Sequence, residues 1–242
     1  MKPRALDLFC GAGGATKGLQ RAGFHVTGID IKPQRRYCGD AFIQADALRP
    51  PLNLDEFDFI WASPPCQAHS DLKSAWNAKK HPDLIPPTRD LLETSGKLFA
   101  IENVVGAPLR SSIMLCGTQF DLGTDDAEIW RHRHIEANFL IPIRFCRHGQ
   151  RARVIGVYGG HGRDRRRKTN TQDYSTEERR QAMDIDWMSG MELSQAIPPA
   201  YADYIGRAAL NSILTCRQPL ENSRRQRASI PQVLAHPFVR PQ

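Results

Sequence analysis

The sequence predicts an α/β fold: a mostly parallel sheet with helical crossovers, carrying a small basic insert. Three observations predict it. Short apolar runs alternate with helix-forming segments over the first 110 residues. A glycine cluster, Gly11-Ala12-Gly13-Gly14, follows the first run and opens a helix. The alternation lapses from about Phe139 to Trp187, and helical periodicity returns at Pro198–Leu214. Alternating strands and helices favour parallel pairing with right-handed crossovers.

Each element has a local reason. Ala5–Phe9 is an apolar strand that ends at the glycine cluster. Ala15 to Ala22 reads as a helix stopped by Gly23. His25–Ile29 and Phe42–Ala45 read as the second and third strands, ending at Asp30 and Asp46. Phe57–Trp61 is the fourth strand, and Pro64-Pro65 follows closely, since proline cannot donate to a ladder. Thr88 to Ser95 reads as a helix with Thr88 as its N-cap and Gly96 as its stop. Leu98–Ile101 is the fifth strand and leads into Glu102-Asn103-Val104. Ser112–Phe120 and His134–Ile143 carry short strand-like runs. On the last helix, Tyr201, Tyr204, Ile205, Ala208, Ala209 and Ile213 fall on one face. The polar run from Gln67 to Pro87 reads as a lid over the turn that begins it.

The chain has 242 residues, enough for one α/β domain and a small insert. It contains no run of eighteen apolar residues, so no spanning helix and no membrane are expected. The start, Met1-Lys2-Pro3-Arg4, lacks a signal-peptide pattern, so the expected compartment is the cytoplasm. The net charge is +7, which suits a polyanion such as nucleic acid. The charge is concentrated: Arg144 to Lys168 holds nine arginines and lysines against one acid, Asp164. Six cysteines without a C-x-x-C pair argue against a disulfide framework and a zinc ribbon. Cys116, His132, His134, Cys146 and His148 make a looser set, but their spacing is irregular and no metal is expected.

The chemistry points to strand ends. Pro64-Pro65-Cys66-Gln67 is a stiff turn that presents a thiol at the carboxyl end of a strand, where open α/β sheets bind ligands. A lone cysteine after such a turn is, taken alone, more often a small buried hydrophobe. Gly11, Gly13 and Gly14 allow a ligand close to the backbone and to helix N–H groups. Asp30 and Asp46, at successive strand ends, suit an adenosine-type cofactor. NAD and S-adenosylmethionine remain tied on these residues. The loop is not G-x-G-x-x-G, which tips the reading modestly away from NAD.

Taken together and in order, several pieces resemble the DNA (cytosine-5) methyltransferase family. They are Asp7-Leu8-Phe9-Cys10-Gly11-Ala12-Gly13-Gly14, Pro64-Pro65-Cys66-Gln67 with Ser70, and Glu102-Asn103-Val104. Arg131-His132-Arg133 and Gln195-Ala196-Ile197-Pro198-Pro199 complete the set. The resemblance covers about residues 4–136 and 192–215. It implies a Rossmann-like S-adenosylmethionine-dependent methyltransferase sheet with a target-recognition insert. Phe9 would stack on the adenine, Asp30 would hold the ribose and Asp46 would reach the adenine amino group. Asp7, Gly11, Gly13, Gly14, Ile31, Ala47, Pro64, Gln195 and Ala196 complete the implied cofactor set. Cys66 would be the nucleophile and Glu102 would engage ring nitrogen 3. Arg133, with Arg131, would position the base and the reacting groups.

The resemblance also sets the implied boundaries: a catalytic domain over 1–136, a basic recognition region over 137–191, a returning helix over 192–216 and a flexible basic tail over 217–242. The implied partner is double-stranded DNA and the expected state is a monomer. Methylation of cytosine in RNA, and a catalytically silent DNA-binding relative, are the alternatives. The sequence departs from the family at Ser63, where glycine is usual, at Ile129, where glutamine is usual, and at Ser194-Gln195, where Gly-Asn is usual.

Overall fold

The structure, a computed structural model, describes residues 2–69, 81–158, 161–164 and 174–217. Its strands are β1 (Arg4–Leu8), β2 (His25–Asp30), β3 (Ala41–Gln44), β4 (Phe59–Ala62), β5 (Leu98–Asn103), β6 (Ile113–Leu115), β7 (Ala127–Ile129), β8 (Arg133–Ala137), β9 (Arg153–Tyr158) and β10 (His161–Asp164). Its helices are α1 (Gly14–Ala22), α2 (Ile85–Ser95), α3 (Thr176–Met183), α4 (Gly190–Gln195) and α5 (Pro199–Arg217). The large sheet runs β3-β2-β1-β4-β5-β8-β6. The first five of these strands pair in parallel, β8 is antiparallel to β5, and β6 is antiparallel to β8. A small sheet runs β10-β9-β7. The α/β sheet expected from the sequence is the observed architecture.

β4 is apolar throughout because both faces of the sheet are covered. Successive residues of β4 and β5 alternate between two cores, as the two-residue period of a strand requires. Phe59, Trp61 and Ala100 join one core with Leu19, Ile129, Ile155 and Tyr201. Ile60, Ala62, Phe99 and Ile101 join the other with Leu6, Leu8, Ile29 and Leu92. On the first face α5 lies tightly against α1. A Cβ on Gly18 would meet the Pro199 carbonyl oxygen at 2.1 Å, so a larger residue there would separate the helices. Of the face expected for α5, Tyr201, Ile205, Ala208, Ala209 and Ile213 are buried, while Tyr204 is half-buried at its edge.

Several elements differ from the sequence reading. α2 begins at Ile85, not Thr88, because the prolines at 86 and 87 fit a first helical turn with their fixed φ and missing N–H. Thr88 is therefore a buried interior residue and not a cap. β5 runs on to Asn103, carrying Glu102 within the ladder. The 112–120 run divides into β6 and a 3-10 turn over Gly117–Phe120. The strand-like run over 134–143 is strand only as far as Ala137. The span without periodicity contains α3, and α4 follows it closely. Both helices are short and begin with reciprocal caps, Ser175 with Glu178 and Ser189 with Glu192. Those two S-x-x-E patterns were the available signal.

β7 lies inside the span expected to be catalytic, yet it pairs in parallel with β9 and seeds the small sheet. β8 then returns to the large sheet and is fastened to α2. Arg89 meets Glu136 with two 2.7 Å contacts, both side chains being buried, and Glu136 also accepts the Arg110 N–H. Of the basic tail expected over 217–242, Arg217 instead ends α5, and the rest lies outside the described residues, as does most of the expected lid, 70–80.

Candidate active site

β4 and β5 are adjacent and in register, with Ala62 opposite Ile101. This pairing brings their carboxyl ends, Ser63-Pro64-Pro65-Cys66 and Glu102-Asn103-Val104, side by side. The proline turn is held from the neighbouring strand. Asn103 Nδ2 donates to the Pro64 carbonyl at 2.9 Å, and Asn103 Oδ1 accepts the Val104 N–H at 2.9 Å. Cys66 then opens a 3-10 turn over Cys66–Ala68, and its carbonyl accepts the His69 N–H at 2.9 Å. Its side chain is half-buried and forms no disulfide. At the base of the expected lid, His69 Nε2 lies 2.8 Å from Asp83 Oδ1.

Glu102 is buried in the β5–β8 ladder opposite Ile135. Arg133 Nε meets its Oε1 at 2.9 Å, while Arg133 Nη1 donates to the His132 carbonyl at 2.8 Å. Burial pushes the Glu102 carboxyl above its ordinary range, because the charged form loses its water. The Arg133 charge, a hydrogen bond from Ser63 and the Arg131 charge pull in the other direction. Ser63 thus acquires a role. Its hydroxyl accepts the Trp61 indole N–H at 2.8 Å and serves as donor toward Glu102. A glycine at this position would offer neither contact.

The second group of expected residues collects at the ends of β1, β2 and β3. Phe9 sits at φ +61°, a left-handed conformation that is an outlier for a bulky side chain and typical of strained functional turns. Gly11 lies at φ +50°, and the space where its Cβ would stand is open for 4 Å. Gly13, at φ +92°, caps α1, and Gly14 opens it. A Cβ on Gly14 would meet the Ile197 carbonyl oxygen at 2.4 Å, so the Gln195–Pro199 run rests directly on this loop. Asp30 ties the corner together, accepting from the Gly11 N–H at 3.0 Å and the Lys32 N–H at 2.9 Å. Asp46 accepts the Leu48 N–H at 3.0 Å. Ala47 is buried, whereas the Ile31 side chain beside Asp30 stands 67% exposed.

Asp7 is buried beneath the loop. Its Oδ2 accepts the Thr16 hydroxyl at 2.5 Å, and its Oδ1 has no hydrogen-bond partner among the described residues. Burial pushes its pKa up to about 7. The folded carboxyl therefore keeps its proton over a range in which the unfolded chain, at 3.8, has lost it. That contribution to stability is whole below pH 3.8 and disappears as pH rises through about 7. An Asp7→Asn variant should show a flatter stability curve between pH 4 and 8. It should gain on the wild type by up to about 4 kcal/mol at the upper end. Urea denaturation across that pH range measures it, and parallel curves would refute it.

Arg131 is placed differently from Arg133. It is buried at φ +29°, and its guanidinium is spent on backbone carbonyls: Ala196 at 3.0 and 2.6 Å, Ser194 at 2.9 Å and Val157 at 2.8 Å. It fastens the 194–196 run and β9 to the start of β8. Burial lowers its pKa to about 10, with the neighbouring Arg133 charge acting in the same direction. Gln195 ends α4 with its side chain exposed, and Ala196 presents its carbonyl to Arg131. The basic region is partly structural as well. Arg144 lies over the Phe120 and Tyr204 rings, Arg151 pairs with Asp121, and Arg153 pairs with Asp126 and covers Tyr174. Arg144, Arg147, Arg151 and Arg207 line a cleft of about 800 Å³. Residues 165–168 of the patch lie outside the described residues.

Among known proteins, residues 4–110 match the family described as C-5 cytosine-specific DNA methylase. A 78-residue stretch is 32% identical to malonyl-[acyl-carrier protein] O-methyltransferase of Enterobacter lignolyticus, covering 30% of this chain and 31% of that protein. The chain thus spans about a third of the curated relative it matches. Three solved structures share the fold over 88% of this chain and 99% of each of theirs. One is described as a DNA modification methyltransferase encoded within an E. coli prophage (TM-score 0.54, 13% identity). The second is the S. pombe Dnmt2 methyltransferase (TM-score 0.58, 13% identity). The third is the Entamoeba histolytica methyltransferase EhMeth (TM-score 0.52, 10% identity).

Proposed function

We propose that this chain, whose residues 4–110 match the C-5 cytosine-specific DNA methylase family, methylates carbon 5 of cytosine in double-stranded DNA, with S-adenosylmethionine as the methyl source. The observation that carries the reading is the adjacency of two strand ends. One presents the Cys66 thiol on an immobilised proline turn, and the other holds the buried Glu102–Arg133 pair.

The residues at the strand ends suit the cofactor. The open space above Gly11, the exposed Ile31 side chain and the unpartnered Asp7 Oδ1 fit a ligand with an apolar ring and a polar, cationic end. Phe9, Ile31 and Ala47 would enclose the adenine, Asp30 and Asp46 its ribose and amino group, and Gly11, Gly13 and Gly14 the remainder. Pro64, Gln195 and Ala196 would border it. When bound, S-adenosylmethionine supplies an electrophilic methyl group.

The chain's own residues then carry the chemistry. Cys66, as thiolate, forms a bond from Sγ to carbon 6 of the pyrimidine. Glu102, its pKa raised, hands a proton to ring nitrogen 3, so the ring electrons are held without building a full negative charge. Carbon 5 becomes electron-rich and takes the methyl group. Its proton then passes to solvent, the Sγ–C6 bond breaks with Cys66 leaving as thiolate, the double bond returns, and ring nitrogen 3 gives its proton back to Glu102. Arg133 holds Glu102 in place throughout. Attack on the faces of both ring carbons requires a base outside the stack, so the target cytosine flips out. Arginines of the basic region engage phosphates and base edges.

The test is to incubate the purified protein with duplex DNA and labelled S-adenosylmethionine, and to identify the modified nucleoside by mass spectrometry. The expected product is 5-methylcytosine. Label on an exocyclic nitrogen would overturn the mechanism, and label only in an RNA supplied in parallel would overturn the substrate.

Ser63 allows a sharper check. Ser63→Ala removes the donor that restrains the Glu102 pKa and leaves the Trp61 N–H without its acceptor. The fall of turnover at high pH, where Glu102 loses its proton, should move to still higher pH. Stability should drop by about 1–3 kcal/mol. An unmoved pH–rate profile would remove Ser63 from the proton-transfer argument.

A further inference from the structure

Cys116, His132, Cys146 and His148 are separated in sequence by fifteen, thirteen and one residues, a pattern that matches no common metal motif. The fold nevertheless gathers them. Each offers one ligand atom, and the four atoms all lie within 4.8 Å of one another. Cys116 Sγ is 3.2 Å from His148 Nε2, and Cys146 Sγ is 3.7 Å from His132 Nε2. Sulfur and nitrogen sharing a tetrahedral zinc ion stand about 3.5 Å apart, given bonds of about 2.3 and 2.0 Å. The two observed distances bracket that value. His134, the fifth member of the set read from the sequence, is directed elsewhere and pairs with the Ser112 hydroxyl at 2.9 Å.

We propose that these four side chains form a structural zinc site. Two thiolates and two imidazoles suit a borderline-soft cation, and four protein ligands close the tetrahedron, leaving no open position for catalysis. The surroundings hold the ligands in place, as outer contacts do in metal centres. The Thr118 hydroxyl lies 3.2 Å from Cys116 Sγ. The His148 ring stacks on Trp130 at 4.4 Å and 17°. Trp130 in turn donates its indole N–H to Glu128 at 2.7 Å, and Glu128 also accepts the N–H groups of Gly149 and Gln150, fixing the strand of chain beyond His148.

The position gives the site a purpose. Cys116 directly follows β6 and His132 directly precedes β8, so both border the large sheet. Cys146 and His148 lie on the connection that leads to β9 of the small sheet. The ion joins the two. It also grips His132 between the two arginines, Arg131 on the 194–196 carbonyls and Arg133 on Glu102. Metal binding releases the two thiol protons to solvent and forms two Zn–S and two Zn–N bonds, with no change of oxidation state.

The experiment uses the full chain, purified without chelator or histidine tag. Elemental analysis should find about one equivalent of zinc, as a closed four-ligand site requires. Reduced, chelator-stripped protein should take up cobalt(II) and develop the visible absorption and thiolate charge-transfer bands of a tetrahedral S₂N₂ site. Its Tm should fall by on the order of 10 °C relative to the zinc form. Cys116→Ser should abolish the cobalt spectrum. Should that variant fail to fold, His148→Cys provides the second test, retaining one equivalent while adding charge-transfer intensity for a third thiolate. A Cys116–Cys146 disulfide in the purified protein, or stripped and reduced protein that binds no cobalt, would overturn the proposal. None of these readouts involves turnover, so the metal site and the methyl-transfer reading can fail independently.

Discussion

Cys66→Ala should abolish product formation, by at least about a thousandfold, while leaving the fold intact. Among the described residues Cys66 is the thiol at the paired ends of β4 and β5, so the proposed bond to carbon 6 has no substitute there. The side chain is half-buried and small, and its removal should shift Tm by no more than about 2 °C. Two measurements separate chemistry from binding. The variant should still bind S-adenosylmethionine and DNA in titrations. Only the wild type should form a covalent complex with DNA carrying 5-fluorocytosine, because fluorine cannot leave carbon 5 as a proton does. A Cys66→Ala protein that still yields 5-methylcytosine would end the covalent mechanism.

Arg133→Ala should damage both activity and stability. It leaves Glu102 buried in the β5–β8 ladder without its cation. Removing one partner of a buried pair costs about 3–5 kcal/mol, or a Tm fall of roughly 10 °C in a chain of this size. The pH dependence carries a definite sign. The Glu102 pKa is already raised by burial, and loss of the arginine raises it further. A raised folded pKa favours the fold at low pH and withdraws that support as pH rises, so the variant's deficit should grow with pH and shrink on acidification. Adding Glu102→Gln removes the buried charge. The double variant should therefore regain much of the lost Tm yet remain about a hundredfold or more below wild-type turnover, because glutamine cannot deliver the proton. If the double variant were as unstable as Arg133→Ala, the charge on Glu102 would not be the cause.

Local signals explain which features were legible. A buried parallel strand must be apolar on both sides, and its end must break the ladder, so β1, β2, β4 and β5 announce themselves. Asp30, Cys66 and Glu102 follow as polar or reactive residues at or near those ends, and Asp46 stands just beyond β3. α2 starts ahead of Thr88 because Pro86 and Pro87 occupy its first turn, where their fixed φ and missing N–H fit. α3 and α4 were missed because six or eight residues are too few to display a helical period, although their capping boxes were present. Ser63 seemed a mere departure from a family pattern. Its partners, Trp61 and Glu102, become evident only once β4 and β5 lie side by side.

By itself the sequence determined the α/β class, the order of the strand ends and the residues they present, because each rests on contacts with near neighbours in the chain. The tertiary structure alone decided the rest. It separated two arginines that differ by two positions, sending Arg133 to a carboxylate and Arg131 to four carbonyl contacts. It made Asn103 a strut for the Pro64 turn, and it drew two cysteines and two histidines from irregular spacing into one cluster. The physical reason is the same in each case. Direction and distance between side chains on different strands depend on sheet order and register, which a linear pattern does not carry.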